Sequence, residues 1–296
     1  MAKSNTATLE TEETRPIGLL EGVVRRFVRN PVGMVGLVFI TILVIAAVFG
    51  PIIAPYNPTA MVAFDARFAP PTLEHPFGLD ELGRDQFSRI LHGARVSLQV
   101  GVISVTLATL IGTTLGMIAG YGNRIVDEVI MRSMDVLFAF PTILLAIAVM
   151  AILGRGVTNA MIAIGVVYIP IFARIARGEV LTVKNEEFVE AARALGASDA
   201  AILWRHILPN ILAPIIVEIS LSLSFAILAE AALSFFNLGT QPPDPSWGRM
   251  LSEGRAYINQ SAWMGIFPGL AIMFTVMGFN FLGDGLRDSL DPKQNR

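Results

Sequence analysis

Apolar positions along this chain gather into six long runs that carry almost no charge. The stretches between them hold most of the charged, Pro and Gly residues. A helix needs about 20 predominantly apolar residues to cross a hydrocarbon core roughly 30 Å thick. The runs that reach or approach that length are Val32 to Ala54, Val96 to Tyr121, Val136 to Leu153, Thr158 to Ala173, Ile211 to Leu233 and Trp263 to Leu282. The fourth is short and the fifth contains Glu218 and Glu230, so their ends are the least defined. The pattern predicts an all-α polytopic membrane protein with about six transmembrane helices. It divides the chain into a tail (1–31), a first span (32–54), an external loop (55–95), a five-helix core (96–285) that encloses a polar segment (177–209), and a second tail (286–296).

Two shorter patterns refine this division. From Ile17 to Asn30, Leu20, Val23, Val24, Phe27 and Val28 form one helical stripe, with Glu21, Arg25, Arg26 and Arg29 facing away. That suits a helix lying on a membrane surface, or a cytosolic extension of the first span. The run that follows is too long for a cleavable signal and lacks its exit site. Residues 1–16 are polar and fit a disordered tail.

In the polar segment, Glu186 to Leu195 is rich in strong helix formers. Gly196 then favours a turn. Ser198 and Asp199 suit the start of a second helix to Leu208, and Pro209 ends it or begins the next element. On helix pattern alone this is an amphipathic linker between two spans.

Composition narrows the function. Of 296 residues, 53% are hydrophobic and 16% charged, against about 25% charged in soluble domains. Mean hydropathy is +0.61. A net charge of −2 gives no bulk attraction to nucleic acid, so no nucleic-acid partner is expected. With no Cys and with His75, His92 and His206 far apart, neither disulfides nor a metal site is expected. Lys and Arg number 15 on the side of the termini and 7 on the other. By the positive-inside rule both termini and the 177–209 segment face the cytoplasm.

The second span carries Gly112, Gly116 and Gly120, a spacing that lets another helix of this or another subunit approach closely. Glu218 and Glu230 are candidates to line a pathway, because carboxylates within a span usually face a cavity or a partner. Asp80, Glu81, Arg84, Asp85 and Arg89 read as a surface helix capping the bundle, starting after Gly83. Trp247 reads as an interfacial anchor. Asp284, Arg287, Asp288 and Asp291 read as ion pairs at the cytoplasmic end.

Glu190, Ala191, Ala192, Gly196, Leu208 and Pro209 stand in the register of a longer motif: EAA, three residues, Gly, nine residues, Ile, any residue, Leu-Pro. The segment departs from it at His206, with Ile207 following. The chain is similar to permease subunits of bacterial ABC importers, whose EAA loop has this pattern. The wording His206-Ile207-Leu208-Pro209-Asn210 resembles the dipeptide/oligopeptide/nickel branch. So do Gln241 to Met250, Glu230 to Phe235 and Gly283 to Pro292, and the likeness runs from about residue 20 to 292.

The resemblance implies a C-type inner-membrane permease with the type I importer fold and no catalytic residues. Its coupling loop would include Glu187 with the motif residues. Its partners would be a second homologous permease, two ABC ATPases, an extracytoplasmic binding protein and membrane lipid. Peptides are the implied cargo, with nickel chelates or glutathione-like peptides as alternatives. The residues agree that the motor lies elsewhere. Lys3, Lys184 and Lys293 are the only lysines and none follows Gly, so there is no phosphate-binding loop. ATP and Mg would be bound by the ATPases, and no cofactor by this chain. An ion-driven secondary transporter is the remaining alternative, with Glu218 as its one candidate ion site.

Overall fold

The computed structural model describes residues 19–290. Helix α1 (Leu19–Arg29) is separate from α2 (Pro31–Ile53). Asn30 sits between them in an extended conformation, and its Oδ1 accepts from the Gly33 N–H at 3.0 Å. Pro31 fills the first position of α2, where its missing N–H costs nothing. The apolar stripe of α1 therefore belongs to a distinct helix, not to an extension of the span. Val24 and Val28 are exposed on it, while Phe27 packs at Gly33 and Gly285.

The second span is longer than its apolar run. Helix α3 covers Gln86–Tyr121, capped by Asp85, whose Oδ2 accepts from the N–H and the hydroxyl of Ser88, each at 2.7 Å. Its 36 residues extend about 54 Å, well beyond a hydrocarbon core, so its outer turns rise above the membrane.

The expected third span, Val136 to Leu153, is not one helix. Helix α4 (Arg124–Phe138) and helix α5 (Thr142–Leu153) meet at 94°. Pro141 lies at the break: it has no N–H, and it biases Phe140 away from helical geometry. The fourth span runs on past its expected end at Ala173, through Arg174 and Arg177, as α6 (Val157–Val183). Both arginines have partners on α4: Arg177 donates to Asp127 at 2.5 and 2.6 Å, and Arg174 to Asp135 at 2.8 Å.

Helix α7 (Glu187–Ala194) and the short α8 (Asp199–Ala201) follow. A π-helical turn, Ile202–Ile207, then leads without interruption into α9 (Leu208–Phe235). Pro209 starts this element rather than ending the one before. It cannot donate to the Arg205 carbonyl, and its ring crowds that group. The turn widens instead, and the Leu208 N–H bonds the Leu203 carbonyl five residues back. Helix α10 (Trp247–Arg255) lies at the other end of the bundle, and α11 (Trp263–Leu290) returns to the first end. Five described helical runs are long and apolar enough to span a membrane, or six when the bent α4–α5 pair is counted as one span.

The core forms around the α3–α6 crossing. An added Cβ at Gly112 would meet the Ile169 carbonyl, at Gly116 the Ala173 carbonyl, and at Gly120 Val180. The glycine series of the second span thus packs within this chain, against α6. Val105, Ala108, Ala163, Ile164 and Phe172 fill the space beside it.

The mixed-charge stretch is buried, not a surface helix. A tight turn closed by pairing of Leu79 with Asp85 precedes α3. Arg84 Nε donates to Asp80 at 2.6 Å, and Arg89 and Arg249 donate to Glu253 of α10, each at 2.8 Å. Burial pushes the Glu81 carboxyl above its usual range, opposed in part by Arg84 at 2.8 Å. The charges balance, and deleting one member would strand a buried charge. Trp247 is likewise no interfacial anchor. It is 2% exposed, lies over Gly93, and its Nε1 donates to the Ile90 carbonyl at 3.0 Å.

Candidate functional site

The polar segment builds one compact surface at the end of the bundle that holds Asn30 and Leu290. Val189 and Ala192, one turn apart on α7, are buried with Ile202 and Ile207 against the core. That places Glu187, Phe188, Glu190 and Ala191 on the outer side, where all four are exposed. Leu195 is 89% exposed and Trp204 56%, so the same segment also leaves two large apolar side chains uncovered.

Gly196 ends α7 in the left-handed region, with φ of +83°. The Ala197 N–H bonds the Ala192 carbonyl and the Gly196 N–H bonds the Arg193 carbonyl, at 3.1 and 3.0 Å. This is a Schellman turn, in which glycine at the left-handed position satisfies the last helix carbonyls without strain. An added Cβ at Gly196 would meet nothing within 4 Å, so its outer side is open. Ser198 Oγ then caps the next helical run by accepting from the Ala201 N–H at 3.3 Å. Leu208 is half-buried and Pro209 exposed at the start of α9.

Three contacts fasten the segment to α3. Tyr121 Oη donates to Asp199 at 2.8 Å, Arg193 donates to Tyr121 Oη at 3.3 Å, and Lys184 Nζ donates to the Gly120 carbonyl at 2.8 Å. The segment that carries the motif residues is thereby held against the end of α3. Its apolar and acidic outer face has the composition of a protein-docking surface, with exposed aromatic and aliphatic anchors among rim charges. Phe188, Leu195 and Trp204 are the part that motif reading missed. The signal was present, since each is a large apolar residue in an otherwise polar stretch.

Of the two membrane carboxylates, Glu218 lies on a cavity and Glu230 does not. Glu218 is half-buried, and Ser222 Oγ donates to it at 2.9 Å. It lines a cavity of 590 Å³ between α6, α9 and α11, together with Glu179, Asn210 and Arg287. Glu230, expected to share this role, is 1% exposed. It accepts from Ser97 of α3 at 3.2 Å and from Ser234 at 2.7 Å, with Thr240 at 3.5 Å. Its bonds join α3, α9 and the outer loop, which makes it a structural bracket. The charges near the C-terminus also differ from expectation. Asp288 accepts from Asn30 Nδ2 at 2.9 Å and Arg287 faces the cavity; among the described residues, neither they nor Asp284 form ion pairs. Asp291 lies outside the described residues.

Fold and site together define an all-α, multi-pass membrane protein with an exposed apolar and acidic surface at one end. Residues 112–296 match the family described as binding-protein-dependent transport system inner membrane component, and residues 18–71 match the N-terminal TM domain of oligopeptide transport permease C. The chain is 50% identical over 270 residues to a dipeptide transport system permease protein of Alkalihalophilus pseudofirmus, covering 90% of this chain and 87% of that one. It is 47% identical over 269 residues to a glutathione transport system permease protein of Pectobacterium atrosepticum, covering 91% and 89%. Its fold is similar to a chain of the MetNI methionine ABC transporter in an inward-facing conformation, with a TM-score of 0.57, 18% identity, and coverage of 68% of this chain and 95% of that one.

The chain belongs to the inner-membrane permease family of binding-protein-dependent ABC importers, in its dipeptide/oligopeptide branch. It is a multi-pass inner-membrane transport subunit, not an enzyme, and it works with ATPase and substrate-binding proteins. The ion-driven alternative falls with that membership.

Proposed function

We propose that this subunit conducts short peptides across the inner membrane, paired with a second homologous permease and driven by two ATPases that dock on the segment 187–209. ATP and Mg are bound by those ATPases and no cofactor by this chain. The observation that carries the reading is the docking face itself: Glu187, Glu190, Phe188, Leu195 and Trp204 exposed over a base of Val189, Ala192 and Ile202. Asp199–Phe235 is one uninterrupted helical run. A displacement of the docking face therefore moves the inner end of a spanning helix directly. Coupling then requires only that the ATP-bound ATPase pair favour one arrangement of the permeases over the other. Peptide cargo is supported by the dipeptide and glutathione relatives, and lipid contact by the apolar residues exposed along α2.

Reconstitution tests the reading. The isolated chain is expected to hydrolyse no ATP. With its ATPases and second permease, hydrolysis should appear and rise when peptide-loaded binding protein is added, with peptide uptake into vesicles. Uptake by this chain alone without ATP would overturn it.

The same reading puts both termini and the docking face in the cytoplasm. Asn185 and Asp244 are both exposed, at opposite ends of the bundle. In intact cells, Asp244→Cys should react with a membrane-impermeant maleimide, and Asn185→Cys only after lysis. Labelling of Asn185→Cys from outside would invert the topology.

A further inference from the structure

The cavity beside Glu218 holds charges that helix packing does not require. Glu179 comes from α6, Glu218 from α9 and Arg287 from α11, and all three line the same 590 Å³ space. That volume falls within the roughly 300–1,000 Å³ of small-molecule sites. A carboxylate ten residues into a spanning helix is costly unless it faces water or a partner. Asn210 and Pro214 line the same space. Pro214 has no N–H to give the Asn210 carbonyl one turn back, so a backbone acceptor is left over at the cavity wall. Among the described residues, none of the three charged side chains is in an ion pair, although Asp127–Arg177 and Asp135–Arg174 pair between α4 and α6.

Two carboxylates and one guanidinium give the cavity wall charges of both signs with a net negative balance. A ligand that fits has an ammonium at one end and a carboxylate at the other, and carries no net negative charge. We propose that this cavity is a transit site for short zwitterionic peptides, with Glu218 and Glu179 receiving the terminal ammonium and Arg287 the terminal carboxylate. The proposal rests on the peptide-import reading above and narrows it. Net-anionic peptides such as glutathione are disfavoured here.

The test uses the full complex of both permeases and both ATPases in lipid. The chain has no Cys, so Ala213→Cys places this subunit's single thiol on the cavity wall, and labelling is read on this subunit's band. Its labelling rate with a water-soluble maleimide is followed with binding protein omitted. Dialanine should slow labelling, N-acetyl-dialanine amide should not, and glutathione should need about tenfold higher concentration. Adding Glu218→Gln should raise the dialanine requirement about tenfold, the scale of one lost charge-assisted hydrogen bond. It should reduce peptide uptake while binding-protein-stimulated ATP hydrolysis persists, a split that misfolding would not give. Should that hydrolysis also fall, Arg287→Gln on the exposed end of α11 decides by the same measurement. Equal protection by the capped peptide, or unchanged dialanine protection in the variant that retains hydrolysis, overturns the proposal. The import reading fails separately, if vesicles with the unsubstituted complex, binding protein and ATP accumulate no peptide.

Discussion

Gly196→Arg is expected to abolish peptide uptake while leaving the protein inserted and folded in the membrane. Two effects would act on it, and they can be separated. The first is strain. Gly196 has φ of +83°, and any side chain there costs about 1–2 kcal/mol. The second is obstruction, because the open space outside Gly196 lies beside Leu195, on the face assigned to the ATPase. Gly196→Ala suffers the first effect almost alone, since its Cβ meets nothing within 4 Å. It should show a small loss of thermal stability and retain most uptake. Gly196→Arg carries the same strain plus a long charged side chain at the docking surface. Uptake should drop by more than tenfold, and ATPase subunits should be lost on purification, since displacing a well-packed contact of Leu size forfeits about 1.5–3 kcal/mol. Glu190→Lys should act in the same direction but less, as an exposed charge pair is worth about 1 kcal/mol or less. Lys184 is a poor neutral comparison because its Nζ holds the Gly120 carbonyl. Normal uptake by Gly196→Arg at normal abundance would reduce the segment to a linker.

The features that could be read from sequence are those written in local periodicity. The spans follow from runs of apolar residues, and α7 with its glycine stop follows from helix formers ended by Gly196. The motif residues from Glu190 to Pro209 were legible because a pattern of small and charged residues fixes them over a long spacing. What escaped depends on partners far away in the chain. Arg89 looks like a surface charge until Glu253, 164 residues later, is folded onto it. Trp247 looks amphipathic and interfacial until its indole N–H reaches the Ile90 carbonyl, 157 residues earlier. Glu230 looks like Glu218, since both are carboxylates among the apolar residues of α9. Only the arrival of Ser97 and Thr240 separates a structural bracket from a cavity-lining group. The bend after Phe138 was legible in Pro141, but the continuous hydrophobicity of Val136 to Leu153 masked it. Averaged hydropathy does not register the loss of one backbone donor.

The largest stability effect is expected where α3 crosses α6. Gly116 faces the backbone of Ala173, so the two helices meet with no side chain between them. Without a hydrophobic drive between helices in lipid, that close packing is the main source of association energy. A single added methyl at Gly116 would fall on the Ala173 carbonyl, which belongs to a helix backbone and cannot rotate away. Gly116→Ala should therefore destabilise the protein, by about 1–3 kcal/mol for an overpacked core. Gly116→Leu should force the helices apart and leave little folded protein. The same substitution is expected to have the opposite sign at Gly265, in α11, where an added Cβ would meet nothing within 4 Å. There the loss of glycine's backbone freedom should make Gly265→Ala neutral or stabilising, by up to about 1 kcal/mol. Thermal unfolding of the purified variants in one detergent measures both. A Gly116→Ala variant as stable as Gly265→Ala would mean that α3 and α6 do not touch backbone to backbone, and that the doubled glycine spacing serves a contact with another subunit instead.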